Sequence, residues 1–183
     1  MFTPRLTQPA NTDPYWINTG YGGLNPCILG YPSYGYGNCL ANCVGFRYGR
    51  AEEFLSAQAG YFVDPHLCIN QASAWYTYND GYPRSSDPQL GAIACWDDGA
   101  SGHVAVVEEV FYTGGIITSC TVSESVYGGA FFQTATINRS SGWYRFTGYA
   151  FQGFIILPVS SDLDQETLLA LIKQKRKNKV IIQ

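Results

Sequence analysis

The 183-residue sequence has little charge, and its first 158 residues contain no lysine. Charged residues make up only 14% of the chain. Residues 1–158 contain six arginines and eleven acidic residues, so their net charge is 6 − 11 = −5. A negatively charged surface is a poor match for a phosphate backbone. The composition therefore argues against nucleic acid as a binding partner.

Long apolar runs are also missing from the sequence. No stretch approaches the ~20 apolar residues that a membrane-spanning helix requires, so we expect no membrane partner. Residues 1–5 do not form a basic segment leading into an apolar one, which is the pattern of a secretory signal. We therefore expect synthesis in a cytoplasm without export by the ordinary route.

Cysteine is plentiful, but it does not follow a disulfide or zinc-binding pattern. The chain has six cysteines and is too long to need a disulfide framework. Cys95 and Cys120 stand in apolar strand patterns, which predicts buried free thiols. Cys39 and Cys43 with the pair at 66 and 68 match no common zinc-site spacing. We predict no required metal or cofactor.

Aromatic residues are abundant, with 14 Tyr, 10 Phe and 4 Trp in a chain that is 46% hydrophobic. This composition is typical of a globular protein rather than a disordered one. Most of the aromatic rings are expected in the core. Any exposed members of one subset are candidates for a substrate groove: Trp75, Tyr76, Tyr82, Trp96, Tyr127 and Trp143.

The chain divides by composition into three segments. Residues 1–37, rich in Gly, Pro, Tyr and Asn, predict an irregular arm over the body. Residues 38–158 form the predicted catalytic domain. Residues 159–183 have five basic and three acidic residues, a net charge of 5 − 3 = +2. They predict a helix over 161–176 and a solvated basic tail.

The central segment predicts two helices followed by strands, an α+β arrangement. Val44, Tyr48, Ala51 and Leu55 form one apolar stripe, which indicates a helix over 43–57. A second, shorter helix is predicted over 69–78. The predicted strands are 91–96, 103–110, 115–122, 130–137 and 149–157. The strand at 103–110 is apolar on both faces and is therefore expected to be central in the sheet.

Cys43 is the candidate nucleophile because it stands where a loop becomes a helix. The free N–H groups and the dipole of a helix N-terminus favour a thiolate. An imidazole beside the thiolate would complete the activation and supply a proton to a leaving amine. Backbone N–H groups around Cys43 are natural donors to an oxyanion. The alternative is a structural cysteine that happens to begin a helix.

His103 is the candidate base, since the chain has only two histidines and the other, His66, follows Asp64-Pro65 in a predicted loop. His103 begins a strand after Gly102, and a glycine there would let a ligand or partner approach closely. We interpret His66 as a bystander.

Glu124 is the candidate residue that orients the imidazole. It ends the strand that follows the histidine strand, and an antiparallel hairpin would return that end to His103. The weaker alternatives are Glu108 and Glu109, at the far end of the histidine strand, and Asp97 and Asp98, in the loop before it.

These residues resemble the CHAP domain family (cysteine, histidine-dependent amidohydrolase/peptidase), in the form found in phage endolysins and tail-associated lysins. The resemblance covers about residues 35–157. Its segments are 42–50, 70–76, 80–84, 88–96, 102–108, 123–125 and 151–155.

The resemblance implies a compact papain-like α+β fold. N-terminal helices, with the catalytic cysteine at a helix N-terminus, would pack on a twisted antiparallel sheet of about five or six strands. It assigns the nucleophile to Cys43, the base to His103 and the acid to Glu124. Many members have an asparagine shortly after the acid, whereas here 125–127 are Ser, Val and Tyr. The calcium-binding pattern of some members is absent from the arm.

The resemblance further implies cleavage of an amide bond in bacterial peptidoglycan. The bond is either the muramoyl–L-alanine amide or a peptide bond of the stem or cross-bridge. Such a phage protein would act on the cell wall after release through a membrane lesion or as part of a virion, with other virion or lysin components as partners. The alternatives are a non-catalytic wall-binding or virion module, and a thiol acyltransferase or protease on the same fold.

Overall fold

The computed structural model describes residues 2–17, 38–68 and 70–158. In this part of the chain one α-helix precedes six strands. One 3₁₀ helix (Ala72–Ala74) lies between the α-helix and the first strand, and another (Arg139–Ser141) lies between the fifth and sixth strands. The helix and strands are α1 (Cys43–Ala59), β1 (Arg84–Ser85), β2 (Ile93–Asp97), β3 (His103–Thr113), β4 (Ile116–Glu124), β5 (Gln133–Asn138) and β6 (Ala150–Ile155).

The six strands form one open sheet in the order β1-β6-β2-β3-β4-β5. Every neighbouring pair is antiparallel. β2 and β3 lie at the centre, where Trp96 is paired with His103. The helix packs on this sheet, which confirms the predicted α+β fold.

Both faces of the central strands are buried, as predicted for the histidine strand. Val104 and Val106 of β3 face α1 and join its apolar cluster. Ala105 and Val107 point to the opposite face and pack in a second cluster with Phe154. Cys95 and Cys120 are buried free thiols, which confirms their predicted state.

α1 begins and ends at recognisable capping residues. The side-chain oxygen of Asn42, the N-cap residue, accepts a hydrogen bond from the Gly45 N–H at 3.0 Å. Gly60 ends the helix with its N–H bonded to the Ser56 carbonyl. The helix is two residues longer than predicted. The predicted apolar stripe, Val44, Tyr48, Ala51 and Leu55, is buried against the sheet.

Residues 2–17 cover the other side of α1. The Trp16 ring stacks on Phe46, with ring centroids 5.8 Å apart. Its indole N–H donates to the Phe46 carbonyl oxygen at 2.7 Å. The contact is close at Gly49, where an added Cβ would lie 2.4 Å from the Tyr15 carbonyl oxygen. α1 is consequently buried on two sides rather than one.

The predicted second helix at 69–78 is wrong, because only Ala72–Ala74 form a single 3₁₀ turn among the described residues there. The Ser73 N–H donates to the Ser101 carbonyl oxygen at 2.9 Å, across to the loop before β3. The Trp75 indole is buried and bonded back to the Asn70 carbonyl oxygen. The tertiary hydrogen bond of Ser73 takes a backbone N–H that an α-helix over 69–78 would use.

Other differences are small. The two-residue strand β1 was not predicted, and the observed strands differ by up to three residues at each end from the predicted ones. The predicted helix at 161–176 and the arm over 18–37 lie outside the described residues. No helix in the described part of the chain has the length and apolar character needed to cross a bilayer.

Candidate active site

Cys43 is the first residue of α1 and lies on the wall of a cleft. The Asn42 cap has extended backbone angles, and Ala41 before it has a positive φ of 64°. The Ala41 carbonyl oxygen accepts a hydrogen bond from the Gly128 N–H at 3.2 Å. The chain therefore turns sharply before the helix, and this turn brings Cys43 to the helix N-terminus at the cleft.

His103, the first residue of β3, lies beside Cys43 in the same cleft. Its Nε2 is 2.9 Å from the Glu124 Oε2, and the Cys43 thiol is close enough to the imidazole to raise its pKa. Because Nε2 faces the carboxylate, Nδ1 remains for the thiol. The structure thus brings all three predicted residues into one connected set.

The hairpin geometry explains the position of Glu124. β3 and β4 run antiparallel, and Ser123 is paired with Val106. The end of β4 therefore returns to the start of β3, as the sequence argument predicted. Glu124 is fully buried.

The proton affinities of His103 and Glu124 are shifted in opposite directions. Burial alone lowers the pKa of His103, but hydrogen bonds and charge interactions with Cys43 and Glu124 outweigh burial and raise it to about 9. Burial alone raises the pKa of Glu124, but His103 and Arg145 together lower it to about 2. At neutral pH the imidazole is therefore held as a cation and the carboxylate as an anion.

Two residues that the sequence argument missed bind the second oxygen of Glu124. Gln133 Nε2 donates to Oε1 at 2.7 Å, and Arg145 Nε donates to the same oxygen at 3.0 Å. The terminal guanidinium nitrogen of Arg145 also contacts Oε1. Neither residue stands near Glu124 in a recognisable local motif. They reach it from β5 and from the segment before β6.

Two aromatic rings enclose the imidazole. Phe146 meets His103 edge-on with ring centroids 4.9 Å apart, and Trp96 lies tilted at 5.9 Å. Both rings limit the rotation of the imidazole and reduce its contact with water. Trp96 thus contacts His103 from the interior rather than from the cleft.

Gly102 lines the cleft and also permits the close approach of another part of the chain. Its φ is +69°, and an added Cβ would lie 2.4 Å from the Ser73 backbone nitrogen. The glycine therefore allows close packing of the 3₁₀ turn against the loop before His103. Asp98 braces the same loop by accepting the N–H groups of Gly102 and Ala100, at 2.8 and 2.9 Å.

The cleft has a volume of about 480 Å³. Its walls come from the start of α1, the 3₁₀ turn, the loop before β3 and the segment after β4. The lining residues are Asn42, Cys43, Val44, Gln71, Ala72, Asp98, Ser101, Gly102, His103, Val126, Tyr127 and Tyr149.

Of the six aromatic residues predicted as groove candidates, the structure brings one to the cleft. Tyr127 lines it and is 60% exposed. Trp75, Trp96 and Trp143 are buried in the core. Tyr76 and Tyr82 are half-buried and pack against the α1-side cluster instead.

Several hydrogen-bond donors belong to residues that line the cleft at the start of α1. The N–H groups of Cys43 and Val44 have no intrahelical acceptor, since they belong to the first turn. Asn42 is buried, and its Nδ2 has no hydrogen-bond partner among the described residues. An unpaired buried donor is costly. Its position beside Cys43 would be useful if an oxygen of the substrate accepted it.

Two of the other titratable candidates, Glu108 and His66, are engaged elsewhere, whereas Asp98 lines the cleft without contacting His103 in any hydrogen bond among the described residues. Glu108 is buried and accepts from Arg50 and from the Ser123 hydroxyl, 2.6 Å away. His66 contacts Asp64 outside the cleft. Within the described ranges, no group of three or more His, Cys, Asp or Glu side chains is arranged to hold a metal ion.

A thiol at a helix N-terminus, with an imidazole and a carboxylate on adjacent antiparallel strands, defines the class of papain-like cysteine-dependent sites. The CHAP domain family model matches residues 31–125, just over half of the chain. The chain therefore belongs to the CHAP domain family, whose members are generally cysteine- and histidine-dependent amidohydrolases. The match ends directly after Glu124, so Gln133 and Arg145 lie beyond it.

Proposed function

We propose that this protein is a thiol-dependent hydrolase that cleaves an amide bond of bacterial peptidoglycan. The main support is the set of Cys43, His103 and Glu124: Cys43 and His103 line one cleft, and the imidazole is hydrogen-bonded to the buried carboxylate behind it. Peptidoglycan is the expected substrate of a CHAP domain.

In the first half of the reaction, the Cys43 thiolate attacks the carbonyl carbon of the amide. A C–S bond forms, and the carbonyl electron pair moves to oxygen. The His103 imidazolium then gives its Nδ1 proton to the amide nitrogen as the C–N bond breaks. The amine leaves, and an acyl group remains on Cys43 as a thioester.

In the second half, neutral His103 takes a proton from water while the water oxygen attacks the thioester carbon. The C–S bond breaks, the carboxylic acid leaves, and the Cys43 thiolate and the imidazolium are restored. Glu124 keeps Nε2 bonded throughout, so that Nδ1 faces the thiol and the leaving group.

The developing oxyanion would be bound by the Cys43 N–H together with the Asn42 Nδ2. Support for this comes from the unpaired state of that buried amide. An oxyanion in this position would satisfy a donor that has no partner among the residues the structure describes.

The size and lining of the cleft indicate which kinds of substrate it can hold. It is open enough for a branched peptide or a sugar–peptide junction, and exposed Tyr127 offers an aromatic surface at its edge. Both the muramoyl–L-alanine amide and a stem or cross-bridge peptide bond are compatible with this shape. We further propose that the protein is a phage lysin, made in the host cytoplasm and acting on the wall after release or from a virion.

The test is digestion of purified Gram-positive peptidoglycan by wild type, Cys43→Ala and the control Cys120→Ala, with products identified by mass spectrometry. Cys120 is a buried thiol remote from the cleft. We expect new amino termini from wild type and the control and none from Cys43→Ala. The fragment masses distinguish an amidase from an endopeptidase.

Two outcomes would contradict the proposal. If wild type sediments with intact wall without cutting it, the protein is a wall-binding module. If it neither cuts nor binds several wall types, an acyl transfer or a protein substrate takes the place of peptidoglycan.

A further inference from the structure

The acid of the site is fixed by two residues outside the part of the chain that matches the family. Glu124 is buried and divides its two oxygens between different partners. Oε2 faces His103, while Oε1 accepts hydrogen bonds from Gln133 and Arg145. A carboxylate held at both oxygens has one orientation.

The two partners of Oε1 differ in charge. Gln133 is neutral, so it restricts the position of the carboxylate without adding a charge beside it. Arg145 is a permanent cation. Its guanidinium lies over the Phe146 ring at 4.4 Å, and Phe146 in turn packs edge-on against His103. One short segment therefore supplies both the cation behind the acid and the ring beside the base.

The charges around His103 show what this cation does. The imidazolium faces Cys43 from α1 and Glu124 from β4, while Asp98 and Tyr149 lie on the wall of the same cleft. All four groups are acids, and each of them favours the protonated imidazole when it is ionised. Arg145 is the cation that opposes them through Glu124. Without it, the imidazole would hold its proton more tightly.

We propose that Arg145 is a positioning residue that offsets the charge of Glu124, so that His103 can release its proton to the leaving amine. The catalytic part of this proposal rests on the function proposed above. The electrostatic part concerns His103 alone and can be measured without any substrate.

The chain suits a direct test because it contains only two histidines. In protein labelled with ¹⁵N-histidine, the imidazole signals of His103 are followed by NMR as a function of pH, with the signals of His66 as internal reference. The variants are Arg145→Met, Arg145→Lys and the control Arg139→Met. Arg139 is an exposed cation paired with Asp87 and precedes the same segment.

We expect Arg145→Met to raise the titration midpoint of His103 by about 0.5 to 1 pH unit, since the cation bonded to the carboxylate that holds the imidazolium is lost. Arg145→Lys keeps the charge and should retain most of the wild-type midpoint. Arg139→Met should match wild type. Glu124→Gln should move the midpoint in the opposite direction, because it removes the anion.

Turnover of peptidoglycan by the same variants tests the catalytic part. Arg145→Met should reduce kcat about tenfold with little change in KM, and Arg145→Lys should restore part of the loss. A wild type that leaves the wall intact would overturn the proposed function. An unchanged or lowered His103 midpoint in folded Arg145→Met would overturn the role of Arg145, whichever substrate is cut.

Discussion

The two histidines of this protein each contact a carboxylate, but their surroundings differ. His66 Nδ1 lies 2.6 Å from Asp64 Oδ2, and His103 Nε2 lies 2.9 Å from Glu124 Oε2. The His66 and Asp64 side chains are 25% and 20% exposed, compared with 7% and 0% for His103 and Glu124. If contact distance were the criterion, the more exposed pair, His66 and Asp64, would be chosen as the catalytic one.

The pairs also differ in what lies around them. Asp64 is two residues from His66 and accepts bonds from its backbone N–H and from the Tyr48 hydroxyl, which fixes a local turn. Glu124 is 21 residues from His103 and is joined to it by the β3–β4 hairpin. Of the two histidines, His103 lines a cleft together with a thiol, that of Cys43. A histidine–acid contact indicates a catalytic site only when the pair is buried and a nucleophile lies next to the histidine.

The largest expected effect separates the two histidines directly. His103→Gln should reduce cleavage of peptidoglycan about 10³-fold or more, because the leaving amine loses its proton donor. His66→Gln should leave the rate unchanged. Release of amino groups from purified wall measures both, and circular dichroism checks folding. If His66→Gln were folded but inactive, His66 would also be needed for cleavage, and the functional difference between the two histidine–acid pairs would be excluded.

The acids provide the next comparison. Glu124→Gln should lower the rate about 10²-fold, since the imidazolium loses its anion and Arg145 loses its partner. The pH at which activity falls on the alkaline side should also move lower. Asp64→Asn should change only stability, by about 1 kcal/mol, through a weakened local turn. Rate–pH profiles and thermal unfolding of both variants test this contrast.

A third variant concerns a donor that lies beside Cys43, in the cleft that His103 lines and His66 does not. Asn42→Ser keeps an N-cap oxygen for the Gly45 N–H but removes the unpaired Nδ2. We expect a loss of about 10² in kcat with Tm nearly unchanged. Asn42→Ala removes both groups and should lower Tm as well. Equal activity of Asn42→Ser and wild type would exclude the amide from oxyanion binding.

The smallest effect is on stability as a function of pH. The folded-state pKa of His103 is raised from 6.5 to about 9. Its contribution to stability is therefore full below pH 6.5 and is lost as the pH rises through about 9. The difference in Tm between wild type and His103→Gln should shrink between pH 7 and pH 10. A constant difference would show that His103 stabilises the fold by packing alone.

Much of the fold follows from periodicity in the sequence. α1 and the five longer strands have apolar patterns that local physics can interpret, and the hairpin argument placed Glu124 at His103 correctly. The error at 69–78 has a physical cause. Ser73 bonds to the loop before β3, which no local pattern predicts. Strand β1, with two residues, is too short to produce a period.

The supporting residues of the site could not be predicted in the same way. Gln133 and Arg145 reach Glu124 across 9 and 21 residues, from another strand and a loop. Neither has a sequence pattern that would distinguish it from a surface residue. The three buried tryptophans were candidates for the groove because composition cannot tell which side of a sheet a ring will occupy. The contacts of Gln133 and Arg145 and the burial of the tryptophans both depend on tertiary packing, which a local sequence pattern does not show.

The burial of α1 on two sides has a consequence for local unfolding. The helix that begins with Cys43 lies between the sheet and residues 2–17, with Trp16 stacked on Phe46 and the Tyr15 carbonyl against Gly49. Residues up to Ser56 are mostly buried, so their amide protons should exchange with solvent deuterium mainly when one of these layers separates. The N-terminal residues and the nucleophile's helix thus form one cooperative unit, and loosening Trp16 should speed exchange throughout α1.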